Sequence, residues 1–335
     1  MAIWWSMDWT PTSNISPEQG NAWSTRSSNK DGQREMTDSV YKIAWIGVGK
    51  IGLPMAALIV KAGHAVISFD PNTKRLATAR QQGIGTAVSA AEAVAGCNVV
   101  FSSLPDDTAL RATMFGSQGL LQAIAPGSIL IETSAVSADI SVELDCAAKA
   151  REIAYLRAPV SGNASIAHTG ALTCFVSGPR STFERVQPLL ATFTRAQTYL
   201  GPNEEARFAK LAVNLMIAVS AGMMAESLAL ARKGGIAWQD ILKVLDESAI
   251  ASPMVKYKTG PLRTRNFDST FSCRQMAKDL DLILSAGRSL GVPLHLAAQV
   301  RETYSSLLAR GDGETDFIAT VQHVERLSGL DDPEL

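Results

Sequence analysis

The chain of 335 residues has little of several features that often reveal a function. It holds only four cysteines and no C-x-x-C pair, which argues against a zinc site or a redox pair. Lysine and arginine number 31 against 32 aspartates and glutamates, so no surplus of one sign exists to bind nucleic acid. No run reaches the roughly 18 consecutive apolar residues of a membrane span. We therefore expect a cytoplasmic protein with reduced thiols, a small-molecule ligand, and no nucleic-acid or membrane partner.

Histidine is equally sparse. The four residues His64, His168, His295 and His323 show no metal-ligand spacing, and no H-E-x-x-H motif occurs. We therefore expect no metal site.

The first 40 residues differ in composition from the rest. They are rich in Ser, Asn, Thr and Gln and carry four of the six tryptophans, with no helical or strand period among the rings. We interpret residues 1–40 as a flexible N-terminal arm, which a translation start at Met36 would remove. A docking arm is the alternative.

From residue 42 onward, short apolar runs alternate with helical stretches. The runs at 43–47, 65–69, 98–104 and 128–131 predict strands, and 54–61, 74–82 and 108–114 predict helices between them. Further strands are expected at 154–156, 171–176 and 198–200. Strand–helix alternation predicts an α/β domain with a parallel sheet covered on both faces, which we place at residues 41–200.

A long helix and a second domain follow the predicted sheet. Asn203 to Arg232 contains no proline, and its apolar residues recur at helical spacing. A rod of about 45 Å is too long for one small domain, so we expect a connecting helix over 201–232. Beyond it, 238–245, 274–290 and 294–308 also have helical patterns. We therefore expect an all-α C-terminal domain at 233–330.

A glycine-rich hexapeptide follows the first predicted strand and begins the first predicted helix. Its sequence is Gly47-Val48-Gly49-Lys50-Ile51-Gly52. In a G-x-G-x-x-G turn the first glycine permits the bend, the second lets the backbone approach a pyrophosphate, and the third allows close helix–strand packing. Glycine turns are common, but strand, turn, helix and second strand occur here in the required order. We predict that these six residues bind a dinucleotide.

Asp70 ends the second predicted strand, 18 residues after Gly52. A carboxylate at this place accepts hydrogen bonds from ribose hydroxyls and repels a 2′-phosphate, which favours NAD. Lys74 and Arg75 follow directly and could neutralise such a phosphate, so NADP stays open as the alternative. The other interpretation of these two cations is a solvated helix face.

The chain resembles the β-hydroxyacid dehydrogenase family, the group of 3-hydroxyisobutyrate dehydrogenase and tartronate semialdehyde reductase. Four segments between about residues 42 and 327 carry the resemblance: Gly47 to Gly52, Ala158-Pro159-Val160-Ser161-Gly162, Lys210 with Asn214, and Lys278-Asp279-Leu280. The resemblance implies a Rossmann-type N-terminal domain, a long interdomain helix, and an all-α C-terminal domain that exchanges contacts in a homodimer or homotetramer. It also implies nicotinamide-dependent oxidation of a β-hydroxyacid.

Lys210 and Asn214 are the candidate catalytic residues. They are four apart on the long helix, which places both side chains on one face. A lysine in a partly dry cleft has a lowered pKa and can exchange a proton with an alcohol or carbonyl near neutral pH, as the family lysine does. Asn214 would orient the substrate hydroxyl. From the helix alone, a solvated surface lysine is the ordinary alternative.

The resemblance implies roles for three further segments. Ser161, Gly162 and Asn163 would anchor the substrate carboxylate, although such residues also make ordinary turns. Leu104 and Pro105 would run beside the cofactor, or else mark a plain helix start. Lys278 would reach over the cofactor from the second domain, with Asp279 a weaker candidate.

The chain departs from the family pattern at three positions. Asn163 stands where a second glycine is common, which narrows the substrate pocket and adds an amide. Arg157 replaces an acidic residue, and we interpret it as part of a structural ion pair rather than an anion site. Ala135 replaces a threonine and so removes a hydroxyl near the cofactor. Phe271 is interpreted as core, with a pocket wall as the alternative.

These observations predict an NAD(P)-dependent oxidoreductase that transfers hydride between a nicotinamide cofactor and a small β-hydroxyacid, resembling 3-hydroxyisobutyrate, or its semialdehyde. Two alternatives stay open at this point. One is an NADPH-dependent imine or keto reductase acting on a non-acid substrate, and the other is a non-catalytic NAD-binding protein.

Overall fold

The structure is a computed structural model that describes residues 41–117 and 119–330. The predicted N-terminal arm and the start at Met36 lie outside these residues. The described chain contains one mixed sheet flanked by helices, followed by a bundle of helices around one long helix.

Nine strands form the sheet in the order β3-β2-β1-β4-β5-β6-β8-β7, with β9 paired to β8. They are β1 (Ile43–Ile46), β2 (Val66–Phe69), β3 (Gly85–Thr86), β4 (Val99–Ser102), β5 (Ile129–Glu132), β6 (Ala154–Arg157), β7 (Val160–Ser161), β8 (Leu172–Ser177) and β9 (Thr194–Gly201). The first six strands are parallel, as predicted, but β8 runs antiparallel to β6 and β7. The reversal follows from the short β7–β8 connection, which is too brief for a parallel crossover.

Within residues 41–117 and 119–330, eight helices accompany the sheet. They are α1 (Gly52–Lys61), α2 (Thr73–Gln81), α3 (Ala90–Val94), α4 (Asp107–Met114), α5 (Leu120–Ala123), α6 (Ala138–Lys149), α7 (Ala164–His168) and α8 (Arg180–Ala191). Strands β1, β4 and β5 are buried along their whole length, because helices cover both faces. This arrangement confirms the predicted α/β fold class.

The helical half begins with the 29-residue α9 (Glu205–Lys233). It continues with α10 (Trp238–Glu247), α11 (Pro253–Arg263), α12 (Cys273–Leu290), α13 (His295–Ala309) and α14 (Thr320–Leu327), with two short 3₁₀ turns before α14. At 1.5 Å per residue α9 is about 44 Å long. Helices α10, α12, α13 and α14 pack around it, so α9 is the axis of this half.

Helix α9 is also long and apolar enough to cross a membrane by length and composition alone. Core helices of water-soluble proteins meet the same criterion. Its buried face argues for the core, since Ala218, Ala221, Ala225 and Leu228 are inaccessible to solvent.

Candidate active site

The glycine turn lies between β1 and α1, and steric contacts explain its glycines. Gly47 has a φ of +91°, and a Cβ there would lie 2.3 Å from the Ser103 carbonyl oxygen. A Cβ on Gly52 would lie 2.1 Å from the Gly47 oxygen. A Cβ on Gly49 would lie 4.0 Å from its nearest neighbour, Arg75 Nη1, so the backbone is open on that side. The turn therefore offers the close approach that a pyrophosphate at a helix N-terminus requires.

Asp70, at the carboxyl end of β2, is tied to this turn. One carboxylate oxygen accepts from the Val48 N–H at 3.1 Å and the other from the Asn72 N–H at 2.8 Å. The Arg75 guanidinium lies 3.4 Å from the same oxygen that binds Val48, and its side chain is half exposed. The oxygen that binds Asn72 can accept a second hydrogen bond, so Asp70 can hold the turn and still bind a ribose hydroxyl.

The loops after β4 and β5 lie side by side. Leu104 N–H donates to Ser134 Oγ at 2.7 Å, which joins the two loops. The Lys278 ammonium, from α12 of the helical half, donates to the carbonyl of Ala135 at 2.7 Å and to that of Pro105 at 3.2 Å. The structure thus brings Lys278 and the Leu104–Pro105 segment together at the carboxyl edge of the sheet, where nucleotides bind in such folds.

Asn214 and Asp279 form a buried pair between α9 and α12. Asn214 Nδ2 donates to one Asp279 oxygen at 2.5 Å, and the Lys278 ammonium lies 2.8 Å from the other. Asn214 is 4% exposed and Asp279 is 1% exposed. An uncompensated carboxylate at this depth would be costly, so the amide and the ammonium fix its position.

Lys210 lies on α9, one turn before Asn214, and is partly buried. The pKa of Lys210 is lowered to about 8. Burial is the main cause, the negative charge of Asp279 partly opposes it, and the positive charge of Lys278 adds a smaller decrease. Within the described part of the chain, no acceptor takes a hydrogen bond from its ammonium. Lys210 is therefore an amine that can exchange a proton near neutral pH.

Ser161, Gly162 and Asn163 lie where β7 passes into α7. Gly162 has a φ of +139°, and a Cβ there would lie 2.5 Å from Leu172. Asn163 Oδ1 accepts from the Ile166 N–H at 3.0 Å and so caps α7. Asn163 also lines a cavity of about 230 Å³ between α7 and α11. Among the hydrogen bonds of the described residues, none joins this segment to Lys210.

The remaining singled-out residues have structural partners. Arg157 makes a buried ion pair with Glu204 and lies 3.3 Å from Asp145, which confirms its interpretation as a structural cation. Phe271 packs edge-on against Phe317 with the ring centroids 6.1 Å apart, in line with a core role.

Arg207 is another buried cation, and the sequence did not lead us to expect its role. Its guanidinium donates to Glu132, to the Ser134 carbonyl at 2.8 Å and to the Tyr155 hydroxyl at 2.9 Å. Arg207 and Glu132 are 1% and 0% exposed. One signal was available: Glu132 ends a fully apolar strand, and a carboxylate there needs a cation.

Two family models together match most of the chain. Residues 42–201 match the NAD binding domain of 6-phosphogluconate dehydrogenase. Residues 205–324 match the NAD-binding domain of NADP-dependent 3-hydroxyisobutyrate dehydrogenase. The matches meet between β9 and α9, so they span both the sheet and the helical half.

Individual relatives agree over the same range. The chain is 30% identical over 283 residues to NAD-dependent L-serine dehydrogenase of Pseudomonas aeruginosa, covering 82% of this chain and 95% of that one. It is 28% identical over 290 residues to 2-(hydroxymethyl)glutarate dehydrogenase of Eubacterium barkeri, covering 86% and 96%. Among solved structures, 3-hydroxyisobutyrate dehydrogenase of Mycobacterium tuberculosis with L-serine is similar at a TM-score of 0.76 and 29% identity, covering 84% and 98%.

Proposed function

Since this chain belongs to the β-hydroxyacid dehydrogenase family, we propose that Lys210 is the residue that moves the substrate proton. The chain is an NAD(P)-dependent oxidoreductase that acts on the CH–OH group of a small hydroxyacid. One observation carries the proposal for Lys210: its partly buried amine has a pKa lowered to about 8 and lies one helical turn from Asn214.

The residues of the glycine turn fit a nucleotide. A Cβ at Gly47 or Gly52 would clash with the backbone and so prevent the tight turn, while the open backbone at Gly49 leaves room for a pyrophosphate. The turn from Gly47 to Gly52 would hold the pyrophosphate, Asp70 a ribose, and Leu104, Pro105 and Lys278 the nicotinamide end. When bound, the nicotinamide supplies the hydride acceptor or donor.

The protein's own groups position the substrate and transfer its proton. Ser161, Gly162 and Asn163 bind the substrate carboxylate, and Asn214 orients the hydroxyl. During oxidation the Lys210 amine accepts the hydroxyl proton, and during reduction the ammonium returns it to the carbonyl oxygen. Proton transfer by a positioned group is typically worth about 10²- to 10⁴-fold in rate.

The preferred cofactor is NAD in this proposal. Asp70 is a buried acceptor at the place of the ribose, and a 2′-phosphate beside it would be repelled. Arg75, within 3.4 Å of Asp70, is the group that would offset this repulsion and admit NADP as the weaker cofactor.

The substrate class follows from what the relatives share. L-Serine, 3-hydroxyisobutyrate and 2-(hydroxymethyl)glutarate each carry a primary alcohol on the carbon next to a carboxylate-bearing centre. We propose the same core, HOCH₂–CH(R)–COO⁻, for this chain. The cavity beside Asn163 gives the group R a place to extend.

Lys210→Ala tests the proposal. Turnover of the hydroxyacid should fall by about 10²- to 10⁴-fold, because the proton-transfer group is lost. The Kd for NADH should stay unchanged, since Lys210 does not belong to the glycine turn. Lys233→Ala, at the exposed end of the same helix, is the matched control. Undiminished turnover in Lys210→Ala would remove Lys210 from the mechanism.

A substrate panel separates the two alternatives. The three hydroxyacids, their amides and a set of cyclic imines are assayed with NAD(H) and NADP(H). The dehydrogenase proposal requires that the amides react much more slowly than the acids. Turnover of imines with NADPH and of no acid would favour the reductase, and NADH binding without any turnover would favour a binding protein.

We also propose that the chain forms a homodimer or homotetramer through α9. Met216, Met223 and Leu230 are 72%, 57% and 76% exposed and recur every seven residues, which gives one apolar stripe along the helix. Met223→Lys should lower the molar mass measured by light scattering. An unchanged mass would exclude the stripe as the interface.

A cytoplasmic location is proposed on the state of the thiols. Cys97, Cys174 and Cys273 are buried and unpaired, and burial raises the pKa of the Cys97 thiol. Such thiols are stable in a reducing compartment.

A further inference from the structure

A closed ring of contacts includes the part of α9 that carries Lys210. On α9, Arg207 binds the carbonyl of Ser134, and the next residue, Ala135, accepts from Lys278 on α12. The neighbour of Lys278, Asp279, accepts from Asn214, which returns the ring to α9. Lys210 lies three residues after Arg207 and four before Asn214, so the ring holds α9 on both sides of it.

Arg207 is the member of the ring that is most completely bonded. Its guanidinium donates to Glu132, Ser134, Ser141 and Tyr155. Glu132 in turn accepts from the Ser134 N–H at 2.7 Å. A rotation of the first turn of α9 would break these bonds and leave buried charges without partners, which is strongly unfavourable.

We infer that Arg207 is a positioning residue, which sets the rotation and height of α9 so that the Lys210 amine meets the substrate hydroxyl. This inference rests on the proposed function of Lys210. It deepens that function because it links the contact between the two halves of the molecule to turnover. The loop of Ser134 and Ala135 accepts hydrogen bonds from both Arg207 and Lys278.

Arg157 offers a matched control within the same region. It is 2% exposed, forms an ion pair with Glu204 at the N-cap of α9, and stacks on the ring of Tyr155 at 4.5 Å. It differs in one respect: it bonds to neither Ser134 nor Ala135, so it lies outside the ring. A merely structural role for Arg207 would make the two arginines equivalent.

The test compares Arg207→Lys with Arg157→Lys. Lysine keeps the charge but cannot bond to four partners at once, because it lacks the planar fork of donors. Both variants should lose thermal stability. At a temperature where both are folded, Arg207→Lys should lose about 10- to 100-fold in kcat with KM and the Kd for NADH nearly unchanged, since misplacement of a reacting group by about 1 Å can cost 10². Arg157→Lys should keep its kcat.

Tyr155→Phe supplies a second, milder variant in case Arg207→Lys does not fold. It removes one acceptor of Arg207 and keeps the ring that stacks on Arg157. A loss in kcat without a change in KM supports the inference. Equal kcat for wild type, Tyr155→Phe and any folded Arg207→Lys overturns it. Because Lys210→Ala is assayed in parallel, an inactive Lys210→Ala beside normal ring variants contradicts only the inference, whereas an active Lys210→Ala contradicts the proposed function itself.

Discussion

Two interiors of this molecule are built in opposite ways. On one face of the sheet, Trp45, Phe101 and Phe193 are fully buried and pack ring against ring, with centroids 4.7 and 6.1 Å apart. Where α9 meets the sheet, Arg207 and Glu132 are buried to the same degree but carry full charges.

The two interiors contribute differently to stability and geometry. An apolar interior loses stability with each atom removed, through lost burial and the cavity left behind. A buried ion pair adds little net stability, yet it allows only the geometry that keeps both partners bonded. The aromatic interior therefore supplies stability, and the ionic interior fixes where α9 and its Lys210 lie.

The largest expected effect is the loss of stability when the aromatic interior is disrupted. Phe101→Ala should lower the free energy of unfolding by about 3–5 kcal/mol, because it empties a closed site between Trp45 and Phe193. Urea unfolding measures the loss, and Phe101→Leu should lose less because it leaves a smaller cavity. The kcat of the folded fraction should not change. A matching fall in kcat would show that the two interiors are coupled.

The next largest effect is an increase in stability on mutation, whereas most mutations lower stability. The folded-state pKa of Lys210, about 8, lies below its ordinary 10.5, so below pH 8 the folded protein carries a poorly solvated charge. Lys210→Met should therefore raise the free energy of unfolding by about 1–3 kcal/mol at pH 7. The gain should shrink as pH rises from 8 towards 10.5, because the wild-type amine then becomes neutral on folding.

Urea unfolding of Lys210→Met at pH 6, 7, 8 and 9.5 checks this expectation. Lys233→Met, at the exposed end of the same helix, should show no such dependence. A destabilised Lys210→Met at pH 7 would mean that the ammonium is well solvated or well paired, which contradicts the burial that lowers its pKa.

The same pKa gives a dependence of rate on pH. Oxidation needs the neutral amine, so kcat/KM for the hydroxyacid should rise about tenfold per pH unit below 8 and level off above it. Reduction needs the ammonium and should decline above pH 8. Initial rates in both directions between pH 6 and 9 measure this. Parallel profiles in the two directions would exclude Lys210 as the titrating group.

The predictions for the site concern residues that are close together in the chain. The glycine turn lies within six residues, and its order between strand and helix predicts a dinucleotide site. Lys210 and Asn214 lie within five residues on one helix, but the resemblance to the family singles them out, because helical spacing alone favours a solvated lysine. The fold class followed from the alternation of apolar runs and helices. The boundaries of α2 and α12 differ from the predictions by one residue, whereas α9 begins four residues after the predicted start at residue 201.

Other features depend on pairs that are distant in the chain. Arg207 meets Glu132 across 75 residues and Asn214 meets Asp279 across 65, and no local pattern reports which of the buried charges pair. Strand β7 has two residues and helix α7 has five, which is too short for a periodicity to be recognised. The antiparallel direction of β8 depends on the short connection between β7 and β8, which contains α7.

The smallest expected effect concerns Asn163, where local structure and substrate binding meet. Asn163→Ala removes the cap of α7 and should lower the free energy of unfolding by about 1 kcal/mol. Asn163→Asp keeps an oxygen that can cap the helix, so stability should hold, but the new charge should repel the substrate carboxylate and raise KM. Denaturant unfolding and steady-state kinetics on both variants separate the two roles. An unchanged KM in Asn163→Asp would show that the substrate carboxylate does not bind next to Asn163.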